Sequence, residues 1–149
     1  MAEFSANAVQ TVNPGESVVF TANPVPCPTG AVRHRDETGS FLLSGRMNNQ
    51  NGSGCCCRNR YTNYLVDFGA NIAIPTGGTV GAISLAIQLD NATIPSSQMT
   101  VTTAAVEEFF NVSRAVNAQV WTGCCQTLTV TNVSDQPILV QNANIIFSR

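Results

Sequence analysis

Apolar and polar positions alternate with a period of two along most of this chain, and helical spacing is nowhere sustained. The clearest run covers residues 61–74. There Tyr64, Val66, Phe68, Ala70, Ile72 and Ile74 share one face, and Leu65, Asp67, Gly69, Asn71 and Ala73 share the other. Residues 80–89 repeat the pattern, with Ile83, Leu85, Ile87 and Leu89 inward against Ala82, Ser84, Ala86 and Gln88. In residues 107–121 the shared face holds Phe110, Val112, Val116, Ala118 and Val120. Shorter extended runs are predicted at 4–12, 17–20, 31–36, 39–44, 99–105, 126–132 and 138–148.

Turn chemistry separates these runs. Asn13-Pro14-Gly15-Glu16, Glu37-Thr38, Pro75-Thr76-Gly77-Gly78, Asp90-Asn91 and Ser134-Asp135-Gln136-Pro137 are turns by composition. The proline-laden stretch 23–30, which includes Cys27, is predicted to be loop or sheet edge, because proline cannot donate to a ladder. Residues 45–60 are rich in Asn, Gly and Ser and read as an exposed insertion. The sum is eight to ten strands, no helix and no internal repeat. That points to a single all-β unit over 1–149, a two-sheet antiparallel sandwich or a barrel.

Composition narrows the function. Charged residues make up 11% of the chain, against roughly 25% in ordinary soluble domains, and lysine is absent. The surface is therefore mostly neutral and polar, which suits packing against copies of itself. A net charge of −2 gives no bulk attraction to nucleic acid. No apolar run approaches the ~18–20 residues of a membrane span, so membrane insertion is not expected. Met1-Ala2-Glu3-Phe4 lacks the basic, then apolar pattern of a secretion signal. Six cysteines nevertheless ask for an oxidising setting if they pair. Release by cell lysis, onto a spore surface or into a virion, reconciles the two.

Five of those cysteines sit in two runs, Cys55-Cys56-Cys57 and Cys124-Cys125; the sixth is Cys27. Vicinal cysteines rarely bond to each other, because the backbone must strain to reach disulfide geometry. Neighbouring thiols reach different partners more readily, so cross-links are the leading reading, at least some of them between chains. Arg58 and Arg60 flank the triple run and favour thiolate, which speeds exchange. Thiolates also suit zinc or copper(I), but neither run has the spacing of a zinc knuckle. No metal or cofactor is assigned. Unpaired structural thiols are the remaining alternative.

Catalytic signals are weak. His34 is the single histidine; alternation puts it on the face that Arg33 and Arg35 do not share, which favours a small anion patch over a Cys–His pair. Glu107 and Glu108 are adjacent on an extended run, so their carboxylates diverge. No phosphate-binding loop, dinucleotide fingerprint or zinc-protease motif is present. The sequons at Asn51, Asn91, Asn111 and Asn132 carry little weight in an Asn- and Thr-rich chain.

Several phrases resemble a known family. The opening stretch 10–20, Tyr64-Leu65-Val66-Asp67-Phe68, Ser84-Leu85-Ala86-Ile87-Gln88-Leu89-Asp90 and the ending 142–149 are similar to strands of the bacterial TNF-like (C1q-like) jelly roll, as in the C-terminal domains of collagen-like spore-surface glycoproteins. The resemblance implies a jelly roll that trimerises and has no enzymatic activity. It also implies that one sheet lines the trimer axis, with Leu65, Phe109 and Trp121 as subunit contacts. Following that topology, the connections before 61–74 and after 107–121 emerge at the same end and bring the two cysteine runs together. The chain has no Gly-X-Y repeat, which favours a stand-alone assembly unit over a stalk cap. The expectation is a structural subunit of an extracellular layer or fibre. A bacteriophage decoration or head-fibre protein, and a module binding a glycan or receptor, are the alternatives.

Overall fold

The computed structural model describes residues 1–35, 37–45, 61–122 and 125–149. Among them are twelve strands: β1 (Ala2–Ala6), β2 (Gln10–Val12), β3 (Ala22–Val25), β4 (Val32–His34), β5 (Phe41–Ser44), β6 (Tyr61–Ala73), β7 (Ala82–Leu89), β8 (Ala92–Thr93), β9 (Met99–Thr102), β10 (Phe110–Trp121), β11 (Cys125–Asn132) and β12 (Ile138–Ser148). The single helical element among the described residues is a 3-10 turn, Pro95–Ser97. The strands form two antiparallel sheets. The first runs β10-β6-β12-β1-β3, with β2 beside β12; the second runs β4-β5-β11-β7-β8, with β9 beside β7.

Alternation fixes which side of each strand is buried. On β6 the set Tyr64, Val66, Phe68, Ala70 and Ile72 is buried, as its periodicity predicts, and Ile74 follows just beyond the strand. Val112, Val116, Ala118 and Val120 do the same on β10, with Phe110 half-buried. Between the sheets the rings of Phe4, Phe20, Phe41 and Phe147 meet, with the His34 imidazole stacked on Phe41 at 4.7 Å and 28°. Apolar area removed from water contributes roughly 25 cal/mol per Å², and Phe4, Phe20, Phe41 and Phe147 are among the largest fully buried side chains that supply it.

The strand count exceeds eight to ten for local reasons. Residues 4–12 do not form one strand: β1 and β2 both pair with β12, and the chain leaves the ladder between them. That break faces the β12 irregularity at Asn142, which has φ +52° and whose amide donates to Asn7 O. Residues 17–20 are extended and bury Val18 and Phe20, yet they join the ladder at one bridge only, Ser17 with Thr131. The Gln10 side chain takes the place of a strand there, accepting from Val19 N and donating to Val19 O. The 23–30 stretch splits into the edge strand β3 and a loop. On β7 the face expected to be open is partly covered: Ser84 and Ala86 are buried, with Ser84 Oγ 2.7 Å from Thr100 Oγ1. Asp90 and Asn91, at φ +50° and +65°, make the tight β7–β8 turn.

Candidate functional site

Two features of this frame bear on function, one at a pole of the sandwich and one on a sheet face. The pole is where β5 ends and β6 begins, and where β10 ends and β11 begins. Tyr61 is paired with Trp121 in the first sheet and Ser44 with Cys125 in the second. The described ends of the 45–60 connection and of the β10–β11 connection are therefore neighbours. Cys55, Cys56, Cys57, Arg58, Arg60 and Cys124 lie outside the described residues.

Sequence patterning left the end occupied by Cys27 open; the structure places it at this same pole. Tyr64 Oη reaches across the core and donates toward Ser44 O and Ala31 O, the latter at 3.3 Å, so one phenol ties β6 to the end of β5 and to the Cys27 loop. Burial pushes the Tyr64 phenol up from its ordinary value, consistent with a hydroxyl retained as donor. Cys27 itself is half-buried against the core, in a turn closed by Gly30 N donating to Cys27 O. Burial raises its pKa. Hydrogen bonds from the Thr29 side chain and from the amides of Val32, Thr29 and Ala31 oppose that and bring the thiol down to about 7 from 9.0. Cys125 is exposed, and no disulfide forms among the described residues.

A thiol at about 7 is a good nucleophile at neutral pH. Alkylation of Cys27 by iodoacetamide, followed by peptide mapping, is expected to rise with pH through a midpoint near 7. A midpoint above roughly 8.5, the value of an unperturbed thiol, would remove the activated thiolate.

The second feature is the outward face of the first sheet. Leu65 is 47% exposed and Trp121 59%. The Trp121 ring meets Tyr61 edge-on at 6.5 Å and 84°, so Tyr61 joins the patch. Its parity with Leu65 was the available sequence signal, and it is read only once β6 is registered against β10. Around this group the outward positions of β6 and β10 are Asn63, Asp67, Asn111, Ser113, Ala115, Asn117 and Gln119. Phe109, 37% exposed, precedes β10 at its other end. Twelve residues of strand put it roughly 40 Å from Trp121, so the three predicted contacts do not form one patch.

The remaining candidates separate. Arg33 and Arg35 are exposed, while His34 turns inward and its Nε2 lies 2.9 Å from Thr38 O. Glu107 and Glu108 are both exposed ahead of β10. No three metal-ligating side chains cluster among the described residues. No helix among them is long and apolar enough to cross a membrane.

No family profile and no curated protein matches the chain. Among solved structures it is similar to the globular domain of zebrafish complement 1qA protein, with 10% identity, 97% of this chain and 94% of that one covered, and a TM-score of 0.61. It is also similar to Eiger TNF from S. frugiperda, with 12% identity, coverages of 99% and 90%, and a TM-score of 0.64. The fold is thus an all-β, TNF/C1q-like jelly roll, as the sequence phrases imply.

Proposed function

We propose that this chain is a non-enzymatic structural subunit that trimerises through the outward face of its first sheet. Disulfides then tie the trimers into a durable extracellular layer or fibre of the spore-surface or appendage type. The observation that carries the reading is the exposed Tyr61, Leu65 and Trp121 group on a face whose other outward positions on β6 and β10 are small or polar and, Asp67 apart, neutral. Exposed apolar groups on a flat sheet with few charges favour isologous or cyclic packing of copies. The likeness to C1q and TNF domains supports it.

Cys27, Cys55, Cys56, Cys57, Cys124 and Cys125 are the proposed cross-linking set, with Arg58 and Arg60 promoting thiolate in the 45–60 insertion. The low thiol pKa of Cys27 at the pole supports exchange there. Sedimentation of air-exposed protein with and without reductant tests both halves. The expected result is a trimer that survives reductant and larger species that collapse to it. A monomer at micromolar concentration would remove the trimer; full titration of all six thiols in the larger species would remove the cross-links.

A further inference from the structure

The sheet opposite the proposed subunit face carries a second feature, independent of assembly. Its edge strand β4 presents Arg33 and then, just past the strand, Arg35 to the outside. Alternate residues of an extended chain put their Cα atoms roughly 7 Å apart on one side. His34 between them is turned the other way, held by its stack on Phe41 and by Thr38 O, which fixes the backbone that carries both arginines. Register then sets Leu42 of β5 beside Arg33, and Thr127 of β11 beside Leu42.

These residues, with Thr38 and Ser40, line a surface cavity of about 600 Å³. That lies within the roughly 300–1,000 Å³ of small-molecule sites. None of the described side chains that line it is acidic. No acceptor among the described residues lies within hydrogen-bond or ion-pair distance of either guanidinium. Two guanidinium groups without a partner among the described residues stand out on a chain with seven cations in total and a net charge of −2.

We propose that this cavity binds an acidic sugar, a saccharide bearing a carboxylate. Planar guanidinium forks match a carboxylate in two-bond geometry. The hydroxyls of Ser40 and Thr127 suit sugar hydroxyls, and the exposed part of Leu42 suits the C–H face of a pyranose ring. A bare inorganic anion would use the arginines and leave the apolar floor idle. Because the cavity and the Leu65 face lie on opposite sheets, occupation of one does not block the other.

The test is titration of the full chain with 3′-sialyllactose and with lactose, followed by heteronuclear NMR. Saturable binding of sialyllactose in the millimolar range is expected, with shifts at Arg33, Arg35, Leu42 and Thr127, and none from lactose. Arg33→Gln and Arg35→Gln should each weaken it by roughly tenfold while leaving the melting temperature unchanged. Equal binding of lactose, equally tight binding of inorganic sulfate or of phosphotyrosine, absence of sialyllactose binding, or variants that bind as the parent does would each overturn the proposal.

Discussion

Phe41→Ala is expected to lower stability by about 3–5 kcal/mol, the range for removing a fully buried aromatic ring. Phe41 has no exposed surface. Its centroid lies 4.9 Å from Phe4, 5.1 Å from Phe20, 5.0 Å from Phe147 and 4.7 Å from His34. Phe4 and Phe147 belong to the first sheet and Phe41 to the second, so this ring is a joint between layers. Alanine would leave a void that four rings from separate elements cannot all close. Phe41→Leu keeps most of the volume and should cost well under half as much. Urea titration followed by circular dichroism measures both at one protein concentration, since assembly would add to apparent stability. A loss below about 1 kcal/mol for alanine would mean that the joint lies elsewhere.

Leu65→Asp is expected to convert the proposed trimer to a monomer with its fold intact. In the single chain Leu65 is half exposed, on a strand flanked by Asn117 and Ser148, and an exposed substitution normally changes stability by no more than about 0.5 kcal/mol. In an interface the same carboxylate would be buried without a partner and close to Asp67, two residues along on the same face. An uncompensated buried charge costs about 3–5 kcal/mol, which weakens each contact by roughly a hundredfold to a few thousandfold. Trp121→Ala should weaken association less, by about 2 kcal/mol, and leave the circular dichroism spectrum unchanged. Sedimentation of Leu65→Asp as a trimer would assign the interface to another face.

What could be read from sequence follows a physical division. β12, Ile138–Ser148, and the buried set on β6 were legible because long strands with one buried face write a period of two into the chain. The β1–β2 break was not legible. It answers the Asn142 bulge more than 130 residues away, and local alternation carries no trace of such a partner. Residues 17–20 read as extended, and they are, but both backbone hydrogen bonds of Val19 go to the Gln10 side chain, which no propensity foresees. At the candidate site, Leu65 and Trp121 were legible as outward positions. Tyr61 needed the β6–β10 register, and the place of Cys27 needed the Tyr64 hydrogen bonds.

The place of β12 in the first sheet has a consequence for when the molecule can form. It lies between β6 and β1, and β1 pairs with it from Ala2↔Phe147 to Ala6↔Ala143. Until residue 148 has left the ribosome, β6 with β10 and β1 with β3 are two half-sheets, each with a bare inner edge. Contacts of such long sequence separation form late and slowly. The first sheet therefore closes only after β12 has been synthesised, whereas the second sheet contains no strand later than β11. A ribosome that stalls before Ile138 releases two unpaired edges together, which makes this chain's nascent form a natural client for holding chaperones.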